Sequence, residues 1–149
     1  METKLRRAQW LLSDLRQYLQ GRGFNMRGIK LKYSAKADED NAKRARAFCY
    51  IYPGKRVIHS AAAIECLDAR VILGLLLHEI THIILTGSPQ KPDPEVADDA
   101  FILENFPEAK YRYEPITYIV RTARGTYRKR VAKNLETVSA SFAARIIGS

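Results

Sequence analysis

Residues 3 to 20 place Leu5, Ala8, Leu11, Leu12, Leu15, Tyr18 and Leu19 at three- and four-residue spacings, with Arg6, Arg7, Asp14, Arg16 and Gln17 between them. That spacing predicts an amphipathic opening helix, ended by Gly21-Arg22-Gly23. The period then shortens. Ile29-Lys30-Leu31-Lys32-Tyr33 alternates apolar and basic residues, as a strand with one wet face does. The stretch from Ala35 to Arg46 is charged and poor in large apolar residues, so it is expected to be a loop or a frayed helical turn. Residues 47–52 and 56–60 flank Pro53-Gly54-Lys55 and read as a β-hairpin.

From Asp68, a plausible N-cap, to about Leu85 the pattern is that of a helix apolar on most of its circumference, through Ile72, Leu73, Leu76, Leu77, Ile80, Ile83 and Ile84. Such a helix is buried. It is too short and too interrupted to span a membrane, which takes about 20 apolar residues. Asp93-Pro94 supplies an N-cap and a first-turn proline for a second helix from Glu95 to Asn105. Residues 116–120 and 126–131 predict a second hairpin, strongly basic, and Leu135 to Ile147 a short closing helix. The sum is an α+β fold over residues 1–149, with 110–149 as a basic hairpin-and-helix extension and the small sheet antiparallel or mixed.

Two histidines interrupt the buried helix. His78-Glu79-Ile80-Thr81-His82 is an H-E-x-x-H motif, and its spacing sets both imidazoles about 40° apart on one face with Glu79 at the flank. Burying two imidazoles and a carboxylate is costly unless they are paired or hold an ion, and zinc would satisfy both histidines together. A catalytic zinc site needs a third protein ligand. A metzincin would carry glycine at 85 and histidine at 88, where this chain has Leu85 and Ser88, so that class is excluded. The second helix offers Glu95, Asp98, Asp99 and Glu104. Glu95 is preferred as the ligand, with Asp98 or Asp99 accepting a proton from the far nitrogen of a ligating histidine. Asp98, Asp99 and His59 remain alternatives for the third position. The same acids would also suit a helix N-terminus for its dipole alone.

The motif pair, His78-Glu79-Ile80-Thr81-His82 followed by Glu95-Val96-Ala97-Asp98-Asp99, resembles the gluzincin arrangement and is similar to that of minimal zincins such as the ImmA/IrrE-type peptidases. The resemblance covers roughly residues 3 to 105 in element order. It implies a zincin-like domain and a zinc-dependent metallopeptidase, with zinc on His78, His82 and Glu95, and Glu79 as general base. It also implies that an edge strand near the metal helix, here residues 56–60, receives an extended peptide. Tyr111, Tyr113, Tyr118 and His59 are the candidates for stabilising an oxyanion.

Charge adds one further candidate. Lys and Arg outnumber Asp and Glu 25 to 16, a formal net charge of +9. Arg121, Arg124, Arg128, Lys129, Arg130 and Lys133, interleaved with Tyr118 and Tyr127, make nucleic acid a candidate partner of the second hairpin, beside the bland expectation of a charged edge that discourages aggregation. Cys49 and Cys66 lack metal-site spacing and fit a reducing compartment. With no apolar core after Met1–Arg7 to read as a secretory signal, the cytoplasm is the expected location.

Overall fold

A computed structural model of the chain describes residues 3–44, 49–51, 56–85, 94–121 and 124–147. Helix α1 (Arg6–Gly21) follows a short helical turn and buries Ala8, Leu11, Leu12, Leu15 and Leu19 as one stripe. Its first free amides, those of Arg7 and Ala8, donate to the Glu65 carboxylate, which does the work of an N-cap from a distant turn. Strand β1 (Lys30–Tyr33) leads into α2 (Ala35–Arg44), then β2 (Cys49–Ile51) and β3 (Val57–Ser60).

α2 is a ten-residue helix where the pattern of Ala35 to Arg46 predicts a loop or a frayed helical turn. Ser34 caps it through a 3.1 Å bond from the Ala37 amide, and among its described side chains Ala37 is the one in the core. A helix that buries alanine has no periodic run of large apolar residues to announce it. Asp38 holds it in place, accepting from the Tyr33 hydroxyl and, at 2.8 Å, from the Ala62 amide.

The first sheet has the order β1-β3-β2, with β3 parallel to β1 and antiparallel to β2. It is a mixed sheet, and the turn 52–55 between its antiparallel strands lies outside the described residues. Residues 56–60 therefore do not supply the free edge expected of them: β3 is flanked on both sides, and among the described residues the edges belong to β1 and β2. Pairing order depends on contacts distant in sequence, which the local pattern of β3 does not carry.

Helix α3 (Ala69–Leu85) is the buried centre, with every residue from Val71 to Thr81 inside. The Asp68 carbonyl accepts from the amides of Val71 and Ile72, each at 3.0 Å. α4 (Pro94–Asn105) packs against it, with Pro94 in its first turn as predicted, while Asp93 lies outside the described residues. Among the described residues no helix is long and apolar enough to cross a membrane.

The second hairpin is longer than expected. β4 (Arg112–Arg121) pairs antiparallel with β5 (Tyr127–Thr137) as a separate two-stranded sheet. Its register slips between Glu114↔Leu135 and Ile116↔Ala132, so that Lys133 and Asn134 stand opposite Pro115 alone. Pro115 has no amide for the ladder, and Asn134 takes the left-handed conformation (φ 60°) that asparagine tolerates. This bulge divides a base from an arm, and it breaks the alternation that would have revealed the full strands. Because Leu135–Thr137 complete the base, the closing helix α5 is confined to Ala140–Ile146, capped by Ser139.

The base sits on α3 with no side chain between them. A Cβ on Gly74 would lie 2.5 Å from the Glu136 carbonyl oxygen and 2.7 Å from the Thr137 Cα. Arg70, one turn earlier, clamps the same junction by donating to the Val138 carbonyl at 2.9 Å and pairing with Glu114 at 3.1 Å.

Candidate metal centre

His78 and His82 stand one turn apart on α3, their rings nearly perpendicular (86°) with Nε2 atoms 3.1 Å from each other. Glu79 is buried beside them, and one ligand atom from each of the three residues lies within 4.8 Å of the others. This His-Glu-His group has the spacing to hold a metal ion.

The far nitrogens explain the orientation of the rings. His82 Nδ1 meets the carboxylate of Asp98, which is fully buried on α4. His78 Nδ1 is 3.1 Å from the Tyr111 hydroxyl, which donates at 3.4 Å to the Tyr113 hydroxyl, which in turn donates to both Asp99 oxygens at 2.9 Å. Burial, reinforced by the neighbouring tyrosine and by the negative charge of Glu136 and Asp99, pushes the Tyr111 phenol far above its ordinary range. Burial and the bond to Asp99 raise Tyr113 likewise. Both phenols keep their protons.

The direction of the chain then follows from the donor inventory. An ionised Asp99 only accepts, so Tyr113 donates to it, Tyr111 donates to Tyr113, and the Tyr111 oxygen is left to receive Nδ1–H of His78. Asp98, also an acceptor, stands in close contact with Nδ1 of His82. When neutral, each imidazole with Nδ1 turned to an acceptor carries its lone pair on Nε2. Two such lone pairs facing each other at 3.1 Å repel unless a cation or a proton lies between them. A divalent cation fits this donor set, since imidazole nitrogen with carboxylate oxygen is the chemistry of borderline transition metals.

Asp98 and Asp99 thus stand behind the two histidines on their Nδ1 sides. Glu95 occupies the first turn of the same helix, and its side chain lies outside those described. Glu104 is exposed on that helix. His59 lies in mid-β3, in register with Lys32 and Tyr50, and is outside the His-Glu-His group. The side chain of Tyr118 is not among those described. Tyr111 and Tyr113 are at the site, Tyr111 against Nδ1 of His78 and Tyr113 against Asp99. Their role is foreshadowed only by their two-residue spacing, which puts both rings on one face of an extended segment.

If the Asp98 carboxylate orients His82, Asp98→Asn weakens metal binding by about 10- to 100-fold, the usual penalty for losing such a partner. Competition against a chromophoric chelator measures this, and an unchanged affinity would remove Asp98 from the site. No protein-family model, curated protein or solved structure matches the chain.

Proposed function

We propose that the chain is a zinc-dependent metallopeptidase on a zincin-like scaffold, holding the ion through His78, His82 and Glu95. The observation that carries this reading is the convergence of two Nε2 atoms whose Nδ1 partners, Asp98 on one side and Tyr111 on the other, leave both lone pairs aimed at one point. Glu95 is favoured as third ligand by its place on α4. It stands three and four residues before Asp98 and Asp99, on the face that meets the histidines.

When bound, zinc supplies Lewis acidity and lowers the pKa of water at its open position. The chain supplies the rest. Glu79, buried and adjacent, accepts a proton from the attacking water and delivers it to the leaving amine. Asp98 and the Tyr111–Tyr113–Asp99 chain keep both imidazoles in orientation while charge develops. An extended peptide would pair along β2, the sheet edge that packs against α3, rather than along β3.

Metal analysis of the purified full chain, with cleavage of a mixture of unstructured peptides, tests the reading. One equivalent of metal, cleavage that stops on chelation, and recovery with added zinc are expected. A folded chain that takes up no stoichiometric metal when given zinc would overturn it.

A further inference from the structure

We propose that the arm of the second hairpin, beyond the bulge, is a docking element for single-stranded nucleic acid. This inference stands on the arm alone and does not depend on the peptidase reading.

Charge is the first ground. Between residues 115 and 135 the chain carries Arg121, Arg124, Arg128, Lys129, Arg130 and Lys133 and no Asp or Glu, so this segment accounts for +6 of the net +9. The acid at the near border of this segment, Glu114, is engaged by Arg70 and Arg112 in the base. In the ladder, the strand cations stand opposite aliphatic or aromatic residues: Arg128↔Val120, Lys129↔Ile119, Arg130↔Tyr118 and Arg121↔Tyr127. No acid of the hairpin is placed across from them. One or two lysines suffice to keep a strand edge from aggregating. Four arginines among six cations, with no acid between residues 115 and 135, exceed that need, and arginine is the residue whose planar fork matches phosphate oxygens.

The second ground is aromatic. Tyr127 is 76% exposed, flanked by Thr126 and by Arg128, Lys129 and Arg124, all exposed as well. An aromatic ring held in water amid cations has no packing role in the fold. It is what a binding surface for unpaired bases uses, with stacking on the ring and cations tracking the backbone. A duplex keeps its bases stacked inside and would leave the Tyr127 face unused. An acidic protein partner would call for a buried pocket at the centre of the contact, whereas the described side chains at the arm's tip all stand in solvent.

The third ground is mechanical. The bulge at Pro115 and Asn134 bends the ribbon between base and arm. The arm can therefore meet an extended ligand while the base keeps its seat on α3.

Fluorescence anisotropy of the full chain with a labelled oligothymidine of roughly 20 nucleotides, and with a duplex of equal length, tests this between about 50 and about 200 mM salt. The single strand is expected to bind more tightly than the duplex, with affinity falling as salt rises. Each phosphate contact contributes about 0.7 to the log–log salt slope on single strands, so R124A/R128A/K129A should make the slope shallower by about 2. Tyr127→Ala should weaken binding by roughly 5- to 150-fold and leave the slope unchanged. Absent or salt-insensitive binding, displacement of the oligonucleotide by polyglutamate at equal charge, or duplex binding as tight as single-strand binding with Tyr127→Ala silent would each overturn the proposal. All four substituted positions are exposed, so melting curves close to wild type are expected throughout.

Discussion

Glu79→Gln is expected to lower kcat for peptide cleavage by roughly 100- to 10,000-fold, the range assigned to a positioned general base, while the metal content stays at that of wild type. The substitution keeps the size and shape of a side chain that is nearly fully buried in α3, so packing against the helix's neighbours is preserved. What it removes is the capacity to take a proton from water. KM should change little, because the loss falls on the transition state rather than on substrate binding. Atomic absorption and steady-state kinetics on the same preparation separate the two effects. If the variant cleaves at the wild-type rate with its metal in place, Glu79 is not the base and the hydrolytic reading fails with it. By contrast, His78→Ala or His82→Ala should lose metal and activity together.

Gly74→Ala should destabilise the fold by about 1–3 kcal/mol or more, the cost of forcing extra volume into a packed interior. Helix propensity alone points the other way, favouring alanine by about 1 kcal/mol. The clash prevails because the atoms a Cβ would meet at 2.5 to 2.7 Å belong to the backbone of Glu136 and Thr137 and cannot rotate aside. The base of the hairpin must move, and Tyr111 and Tyr113 move with it. Thermal unfolding should show a midpoint lower by about 2–12 °C, and metal affinity should fall as the Tyr111 hydroxyl leaves His78. Gly21→Ala is the matched control: it makes the same chemical change at the end of α1, where a Cβ meets nothing within 4 Å. Equal stability of Gly74→Ala and wild type would show that the junction is not tight.

The contrast between these two glycines marks what local pattern carries and what it does not. Gly74 looks in sequence like a mild flaw in an apolar helix; only the crossing of β5, more than sixty residues later, makes it indispensable. α3 itself was legible, because a buried helix must be apolar almost all round and its two histidines then stand out. α4 was legible from Pro94. α2 was not, since alanine and capping serine leave no periodic signature. The central place of β3 and the length of β5 depended on pairings and on a bulge that no single segment encodes. Within the site, the motif residues and the acidic helix could be read, whereas the path from His78 through two tyrosines to Asp99 needed β4 to be set beside α3.

One consequence of that path concerns the sign of the local charge. Glu79, Asp98 and Asp99 gather three carboxyl groups around two imidazoles whose Nδ1 atoms already have neighbours. A molecule carrying +9 overall thus encloses an acidic centre, and the two regions sort ions in opposite senses. The field of a +9 exterior would favour polyanions at the arm and disfavour cations in bulk solution, while the His-Glu-His group would offer a divalent cation a local well. An ion bound there would touch residues of α3 backed by carboxylates of α4, so its uptake would also tie the two helices together.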